Sequence, residues 1–394
     1  MIINAAYIHI PFCRRRCFYC DFPITVLGEN GANVYISLQE EYVDFLCREI
    51  RATPKKTSSL ATVFFGGGTP SLLYLEGLAK VLDALSQHLG ISKDAEVSIE
   101  IDPATFDLNK LKKYKSLGVN RITLGIQAFQ DNLLQSIGRS HRLKDIQQAI
   151  DDIYQADFDN WGLDLISGLP YQTLDDWQQS LAKAVELQPK HISCYDLVLE
   201  PTTVFGKKYQ AGKKPLPTEE NTAEMYCMAV ATLEAAGYHH YEISNYAKPG
   251  YECRHNQVYW LNQPYYGFGM GAASYTDNIR FTRPRTRQQY YAWVVDYERK
   301  GGILEIPPVS ETDRFLETLM LGLRLKKGVN LAGLEAEYGQ NFVKKLISSL
   351  RDFALEKLVI LDEKEGIIRL ASPLGFLYSN TILSRIFAEF LDER

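Results

Sequence analysis

Three cysteines stand close together near the start of the chain, at Cys13, Cys17 and Cys20, in the spacing CxxxCxxC. A [4Fe–4S] cubane has four irons, and each of them takes a thiolate-like ligand. Three cysteines on one short loop can ligate three irons and leave the fourth open. An open iron can chelate the amino and carboxylate groups of S-adenosylmethionine (SAM) and pass an electron to its sulfonium, which yields a 5′-deoxyadenosyl radical. The spacing therefore predicts a radical SAM cluster.

The alternative for the same cysteines is a zinc site with His9 as the fourth ligand. Structural zinc sites usually pair their cysteines as two CxxC knuckles that lie well apart in sequence. The chain has no second pair, because Cys47, Cys194, Cys227 and Cys253 each stand alone. The first three of these lie in apolar or helical settings, and we interpret them as buried thiols. The cluster is therefore the favoured interpretation.

The composition of the 394 residues is that of a globular protein, with 46% apolar and 23% charged residues and a net charge of -5. General nucleic-acid-binding proteins are usually basic, so the acidic balance argues against that class. The sequence has no apolar run long enough for a membrane span. The first residues lack the pattern of a signal peptide. We therefore expect a cytoplasmic protein, in a reducing compartment where clustered cysteines bind metal.

Short apolar runs alternate with helical patterns up to about residue 200. Runs of this kind, rich in Val, Ile, Phe or Leu, are typical of buried parallel strands. The predicted strands are Tyr7–Ile10, Thr62–Phe65, Val97–Ile101, Arg121–Ile126, Gly162–Ile166 and His191–Leu197. The alternation predicts an α/β fold with a partial (β/α)6 TIM-like barrel, and a doubly wound sheet is the alternative that periodicity leaves open.

The rest of the chain changes character twice, which predicts three domains. The boundaries are 1–205 for the barrel, 206–309 for a barrel extension and connecting region, and 310–394 for a C-terminal domain. The C-terminal part shows helical patterns and then a β-hairpin, the outline of a winged-helix unit. The predicted elements after residue 205 are the helices Thr218–Ala236, Glu311–Leu325, Leu331–Tyr338 and Phe342–Lys357 and the hairpin strands Leu358–Asp362 and Gly366–Leu370. The unit has no dense Lys/Arg face, so a packing or lid role is favoured over DNA binding.

Polar and glycine-rich signals follow the predicted strands, where a βα barrel builds its site. The sequence GGGTP, from Gly66 to Pro70, follows the second strand. Glycines let the backbone approach a ligand, and we expect the N–H groups here to be free to bind the SAM carboxylate.

The next strands end with polar side chains. A charged residue inside a buried strand is costly unless it is paired or functional. Each such residue alone suits a salt bridge or a cap, but their joint placement indicates a ligand site. The residues are Glu100, Gln127, Arg139 and Asp164.

Six segments together resemble the HemN-like radical SAM family, in its order and over nearly the whole chain. They are YIHIPFCRRRCFYCDF, FFGGGTPS, SIEIDP, LGIQAF, LDLISGLP and HNQVYW. The resemblance implies a radical SAM partial barrel with a C-terminal, mainly helical, winged-helix-like HemN domain. It implies a [4Fe–4S] cluster, SAM and haem as cofactors, with Cys13, Cys17 and Cys20 as cluster ligands. The SAM contacts that it implies are Tyr7, Tyr19, Gly67, Gly68, Thr69, Glu100, Gln127, Arg139 and Asp164.

Two departures separate the chain from the family's oxygen-independent coproporphyrinogen III oxidase. That enzyme has a fourth cysteine, in CxxxCxxCxC, where this chain has Phe22, and it carries a longer arm where only six residues precede Tyr7 here. The resemblance therefore implies a haem chaperone that binds haem and delivers it to acceptor proteins. A radical SAM oxidoreductase acting on a porphyrin remains the alternative. The implied partners are haem, haem-accepting proteins such as respiratory membrane proteins, and an electron donor such as flavodoxin or ferredoxin, without nucleic acid.

The segment HNQVYW begins at His255 and ends at Trp260. In this family it points to haem, because a histidine can ligate haem iron while Tyr259 and Trp260 pack on the macrocycle. The alternative is that these residues brace the barrel against the C-terminal domain. Both interpretations of His255 stay open from the sequence.

Overall fold

The computed structural model describes residues 2–28, 35–57, 59–362 and 364–391. Its strands are β1 (Ala5–Ile10), β2 (Phe12–Cys13), β3 (Thr25–Val26), β4 (Leu60–Gly67), β5 (Ile91–Ile101), β6 (Arg121–Gln127), β7 (Trp161–Ser167), β8 (His191–Asp196), β9 (His239–Glu242), β10 (Asn245–Ala247), β11 (Tyr266–Phe268), β12 (Ala273–Thr276), β13 (Ile279–Thr282), β14 (Val329–Asn330), β15 (Val359–Asp362) and β16 (Ile367–Leu370). Its α-helices are α1 (Ile36–Ala52), α2 (Leu75–His88), α3 (Leu108–Ser116), α4 (Asp131–Ser136), α5 (Leu143–Gln155), α6 (Leu174–Glu186), α7 (Val204–Lys208), α8 (Glu219–Ala235), α9 (Arg254–Trp260), α10 (Arg287–Arg299), α11 (Glu311–Gly322), α12 (Leu331–Tyr338), α13 (Gln340–Leu355), α14 (Leu374–Leu377) and α15 (Ser379–Leu391).

Six parallel strands, β1, β4, β5, β6, β7 and β8, lie side by side in chain order. They coincide with the six predicted strands, except that β5 begins already at Ile91 and β8 ends at Asp196. A doubly wound sheet reverses its strand order at a switch point, and this order has no reversal. The partial barrel is therefore confirmed, and the doubly wound alternative is wrong.

The region between the barrel and the C-terminal part extends both edges of this sheet. Strand β11 pairs parallel with β1, while β10 pairs antiparallel with β8 and carries β9 on its outer side. The result is an open sheet of nine strands.

Strand register separates apolar from polar side chains. Ile8, Phe65 and Ile99 share one face, where they are buried in the hydrophobic core with side chains of the flanking helices. The other face carries polar groups, among them Ser98 and Asp164. Because strand side chains alternate between faces, each barrel strand presents every second residue to the interior. The interior of this barrel is consequently polar.

The C-terminal part contains the predicted helices and hairpin, as α11, α12, α13 and the pair β15–β16. Strand β14 completes a three-stranded sheet with β16 in the middle. The structure adds α14 and α15 after the hairpin. In the part of the chain that the structure describes, every helix is too short or too polar to cross a membrane.

Candidate functional site

A cavity of about 730 Å³ opens at the carboxyl ends of the barrel strands. Most of the predicted site residues line it together. They are Cys13, Cys17, Tyr19, Cys20, Gly67, Gly68, Thr69, Glu100, Gln127, Arg139 and Asp164. Tyr7 and His255 are the two predicted residues that the structure does not bring into this lining. The loops after β1, β4, β5, β6 and β7 thus converge as a βα barrel requires.

The cysteine loop lies between β2 and β3, which pair in parallel. Its shape is held by protein contacts: the Arg16 guanidinium donates to the carbonyls of Cys20 and Phe22, each at 3.1 Å. The Phe18 backbone N–H donates to the carbonyl of Ile137 at 3.1 Å. Burial raises the pKa of the Cys13 thiol to about 12 and raises that of Cys20. Iron would deprotonate such thiols on binding, since thiolates are the ligands.

The donor set fits a cubane better than zinc. A zinc ion would need its ligands to converge on one point at about 2.3 Å for sulfur. Among the residues that the structure describes, no three His, Cys, Asp or Glu side chains are grouped to hold a single ion. The zinc alternative's fourth ligand, His9, has both ring nitrogens bonded, Nε2 to the Pro23 carbonyl at 2.8 Å and Nδ1 to the Tyr7 hydroxyl at 3.1 Å. Thiols that bind different irons of one cluster need no such convergence.

The GGGTP loop is packed tightly on the cysteine loop. A Cβ at Gly68 would lie 2.8 Å from the Pro11 carbonyl carbon, so only glycine fits. Gly68 N–H donates to the Ile10 carbonyl at 2.9 Å and Thr69 N–H to the Phe12 carbonyl at 2.8 Å. Gly67 N–H donates to Glu100 Oε2 at 3.2 Å. The expectation that these N–H groups are free is therefore wrong, because those of Gly68 and Thr69 bond residues 10–12 before the cysteine loop and that of Gly67 bonds Glu100.

Two carboxyl groups in the cavity wall form no ion pair within the part of the chain that the structure describes. Burial, reinforced by nearby carboxylates, raises the pKa of Glu100 to about 8. Burial likewise raises the pKa of Asp164 to about 6, and its Oδ1 has no hydrogen-bond partner among the described residues. Buried polar groups are nearly always bonded, so the unpartnered Oδ1 of Asp164 points to a ligand. SAM, which carries a sulfonium and an ammonium group, has the charge that would suit the two carboxyl groups.

Arg139 connects the carboxylate side of the cavity to the cysteine loop. Its guanidinium forms an ion pair with Asp102, donates to the Gly125 carbonyl at 2.9 Å, and lies 3.8 Å from Cys17 Sγ. Asp102 also accepts from Thr69 Oγ1 at 3.3 Å, and Thr69 Oγ1 lies 3.6 Å from Cys13 Sγ. Asp102 was not predicted as a site residue. Its position two residues after Glu100, directly after the end of β5, was the available signal.

Gln127 has a left-handed backbone, with φ of 71°, at the irregular end of β6. A side chain other than glycine costs about 1–3 kcal/mol in such a conformation, and positions of this kind cluster at functional sites. The strained backbone therefore holds the Gln127 side chain at the cavity.

His255 lies outside the cavity, on α9, and is fully buried. Its Nδ1 is hydrogen-bonded to Thr62 Oγ1 and its Nε2 to the Tyr259 hydroxyl, each at 2.8 Å. Desolvation lowers the pKa of the imidazole to about 3. Iron ligation by His255 stays a prediction that would require one of these bonds to break. The bonds favour the alternative that the motif braces the barrel.

Trp260, at the other end of the motif, supports the same alternative. The Arg324 guanidinium of the C-terminal part lies over its ring, 4.4 Å from the ring centroid. Tyr7 also lies outside the cavity lining, with its ring stacked on Phe64 at 6.2 Å. Its contact with SAM stays a prediction.

Comparison with known proteins extends these findings. Residues 7–184 match the model of the radical SAM superfamily, and residues 309–371 match that of the HemN C-terminal domain. The structure resembles coproporphyrinogen III oxidase (HemN) from Escherichia coli, a radical SAM enzyme, with a TM-score of 0.81 over 98% of this chain and 90% of that one. The sequence identity is 22%, so this likeness concerns the fold.

The partial barrel and the cysteine-lined cavity, with these matches, define a radical SAM protein that uses a [4Fe–4S] cluster and SAM. The chain is 51% identical to a protein named heme chaperone HemW from Synechocystis sp., over 98% of this chain and 96% of the relative. It is 38% identical to the protein of that name from Bacillus subtilis, over 99% of this chain and the whole of the relative. The chain belongs to the HemW family.

Proposed function

We propose that this protein binds haem and transfers it to haem-accepting proteins. The observation that carries the proposal is the 51% identity over almost the whole chain to a protein named heme chaperone HemW. The sequence supports it in a second way, because Phe22 stands where a porphyrin oxidase of the HemN type has its fourth cysteine. Haem and an acceptor protein are thus the proposed partners, and the cytoplasm is the proposed compartment.

Within this function, Cys13, Cys17 and Cys20 would ligate three irons of the cluster. The convergence of their loop on one cavity with Thr69 and Arg139 supports that role. The SAM-binding group would be the other predicted residues of the cavity lining, with Asp102 orienting Thr69 and Arg139. When bound, the cluster and SAM supply one-electron chemistry. The chain's own residues enclose the site and place carboxylates beside it.

The second candidate function is a radical SAM oxidoreductase acting on a porphyrin. The observation that favours it is the complete cavity, in which the orphaned Asp164 and the Arg139–Asp102 pair are in place. An oxidoreductase would consume SAM in step with its porphyrin substrate, whereas a carrier would return haem unchanged.

The test is an anaerobic titration of the cluster-reconstituted full chain with ferric haem, followed by the Soret absorbance. We expect a saturable shift at about one haem per chain. The loaded protein is then mixed with an apo-form haem protein, and its Soret band should move to that of the acceptor. SAM cleavage is measured in the same samples by the release of 5′-deoxyadenosine.

A wild-type protein that shows no saturable shift would contradict the haem-carrier function. SAM cleavage that depends stoichiometrically on a porphyrin substrate would instead support the oxidoreductase. Transfer of bound haem to the apo-protein at a higher rate than the apo-protein takes up free haem supports the carrier.

A further inference from the structure

The cysteine loop presents three consecutive arginines to solvent, between two of the predicted cluster ligands. Arg14 is partly exposed, and Arg15 and Arg16 are exposed. Among the residues that the structure describes, none of the three forms an ion pair, and Arg16 donates to two uncharged backbone carbonyls. Asp21, the acidic residue of this loop, is paired with Arg285 at 3.1 Å. The loop therefore carries uncompensated positive charge where the cluster would be held.

A second segment adds two lysines beside this loop. Residues 197–208 follow β8 and end with α7, which packs on the cysteine loop. The Phe205 backbone N–H donates to the Phe18 carbonyl at 3.0 Å, and the centroids of the two rings lie 5.9 Å apart. Lys207 and Lys208, at the end of α7, are exposed, and in the described part of the chain neither forms an ion pair. Positive charge thus continues from one segment to the other.

Exposed apolar side chains accompany these charges. Phe22 is 59% exposed, Val198 62% and Val204 50%. Phe22 and Val198 belong to the lining of the cysteine-lined cavity. So do Arg14 and Arg15, which places charged and apolar groups around one opening. Protein–protein interfaces combine an apolar centre with a polar rim in this way. We call this surface the arginine face, and it consists of Arg14, Arg15, Arg16, Phe22, Val198, Val204, Lys207 and Lys208.

The charge of the arginine face is opposite in sign to that of the whole chain. The two segments hold five basic residues and two acidic ones, Asp21 and Glu200, in a chain with a net charge of -5. Complementary charge steers a partner to such a patch and orients it there. A nucleic-acid-binding protein would be basic over a larger area, and the exposed apolar side chains suit a protein surface instead. The arginine face therefore fits a protein with an acidic surface.

The position of the arginine face indicates what such a partner does. Cleavage of SAM takes one electron from the cluster, so the protein has to receive electrons one at a time. Electron transfer between proteins slows steeply with distance, and a donor must therefore dock where the cluster is near the surface. Cys17 and Cys20 are partly exposed, whereas Cys13 is buried. The cluster would consequently come nearest to solvent at the loop that carries the arginines.

We propose that the arginine face docks an acidic iron–sulfur protein that donates one electron to the cluster. One electron leaves the reduced iron–sulfur centre of the partner, which is oxidised, and enters the [4Fe–4S] cluster at the cysteine loop, which is reduced. No covalent bond forms or breaks, and no proton moves. The proposal rests on the radical SAM class of the chain and not on haem transfer, so either can fail while the other stands.

The test measures binding of a purified acidic [2Fe–2S] ferredoxin to the cluster-reconstituted full chain, by calorimetry at low ionic strength. Lys207→Glu/Lys208→Glu lies outside the cavity lining and should weaken binding by about tenfold, because two attractive contacts become repulsive. Added salt should weaken the wild-type complex more than that of the variant. The rate at which reduced ferredoxin reduces the cluster should fall in parallel, whereas excess dithionite should reduce the same amount of cluster in both proteins.

The matched control is Lys344→Glu/Arg351→Glu. It changes the net charge by the same amount through two exposed residues of α13 in the C-terminal part, and it should bind ferredoxin as the wild type does. Phe22→Ala tests the apolar part of the arginine face. It should lower the affinity by about tenfold and leave the salt dependence unchanged, because no charge is removed. Iron content and thermal melting show whether each variant keeps its cluster and fold.

Several results would overturn the proposal. Equal ferredoxin affinity in Lys207→Glu/Lys208→Glu and in the wild type would remove the arginine face as the docking surface. A wild-type protein that binds no ferredoxin at low ionic strength would do the same. Binding of single-stranded RNA, or of vesicles of equal parts phosphatidylcholine and phosphatidylserine, in place of ferredoxin would assign the charge to another partner. A wild-type protein that binds ferredoxin but no haem would contradict the proposed function and leave this docking surface standing.

Discussion

The carboxyl groups at the two ends of the barrel interior differ in how they are bonded. At the cavity end, among the residues that the structure describes, Asp164 Oδ1 has no hydrogen-bond partner and Glu100 accepts from the Gly67 N–H. At the other end, Glu96 accepts from the backbone N–H groups of Arg254 and His255 at 3.1 and 3.0 Å and contacts Cys253 Sγ at 3.6 Å. The cavity end therefore keeps hydrogen-bonding capacity for a ligand, whereas the carboxylate at the other end uses its capacity to hold α9.

This difference shows which polar motif can act on a ligand. In the sequence, GGGTP with its following carboxylates and HNQVYW both suggest binding chemistry. In the structure, the first surrounds a cavity, and the second closes the barrel with both nitrogens of His255 bonded. The bonded Glu96 stabilises the packing of α9, whereas Asp164 keeps an acceptor inside the cavity that a ligand can use.

The largest expected effect is at the cavity end. Replacing Cys13, Cys17 or Cys20 singly by alanine should prevent a stable cluster, because a cubane with two protein ligands is not retained. Iron analysis after anaerobic reconstitution should fall from about four per chain to near zero. Cys227→Ala, a lone cysteine on α8, is the control and should keep its iron. A full iron content in any of the three variants would remove that cysteine from the ligand set.

At the end of the barrel that α9 closes, Glu96→Ala should destabilise the protein without changing the cavity. It leaves one buried and one partly buried N–H donor of α9 without their acceptor, at a cost of about 2 kcal/mol in the free energy of unfolding. Glu96→Gln retains an acceptor oxygen and should cost less. Denaturant unfolding measures both variants, and SAM affinity should be unchanged. A loss of SAM binding with normal stability would contradict the division between the two ends.

Gly68→Ala should weaken the cavity through its packing. The new Cβ would press on the backbone of Pro11 and Phe12 and displace the cysteine loop. We expect SAM affinity to fall by about tenfold, the equivalent of 1.4 kcal/mol, as measured by calorimetry on the reconstituted protein. Gly333→Ala, on α12, is the matched control, since its Cβ would meet only Asn330 Oδ1 at 3.7 Å. Equal affinities in both variants would show that the loop tolerates displacement.

The smallest effect is a pH dependence of the cavity end. The pKa of Asp164 is raised from 3.8 to about 6 and that of Glu100 from 4.5 to about 8, so the ligand-free fold holds protons that the unfolded chain releases. Their stabilising contribution is therefore present below about pH 4 and is lost as the pH rises to about 8. Cationic SAM should bind more tightly over the same rise, because the carboxylates become charged.

Thermal melting and SAM titration between pH 5 and 9 measure both trends. Glu100→Gln should flatten the upper part of the melting profile and Asp164→Asn the lower part. A wild-type profile that is already flat would mean that neither carboxyl is protonated in the ligand-free protein.

The sequence by itself determined the barrel strands, the C-terminal helices and hairpin, and the cysteine loop with its strand-end residues. These elements can be predicted from local signals, because strand periodicity, turn glycines and ligand spacing are patterns that span only a few residues each. The domain boundaries at 205 and 309 stay a prediction, since elements on both sides of the first boundary share one sheet.

Tertiary structure alone decided which polar groups find partners. Asp102 meets Thr69 and Arg139 only when three loops converge, and the N–H groups of Gly68 and Thr69 are bonded by the carbonyls of Ile10 and Phe12, more than fifty residues earlier. Both ring nitrogens of His255 are hydrogen-bonded, to Thr62 and to Tyr259, although the motif around it suggested a ligand site. Hydrogen bonding and burial of a polar group depend on contacts between distant segments of the chain, and a local sequence pattern does not predict those contacts.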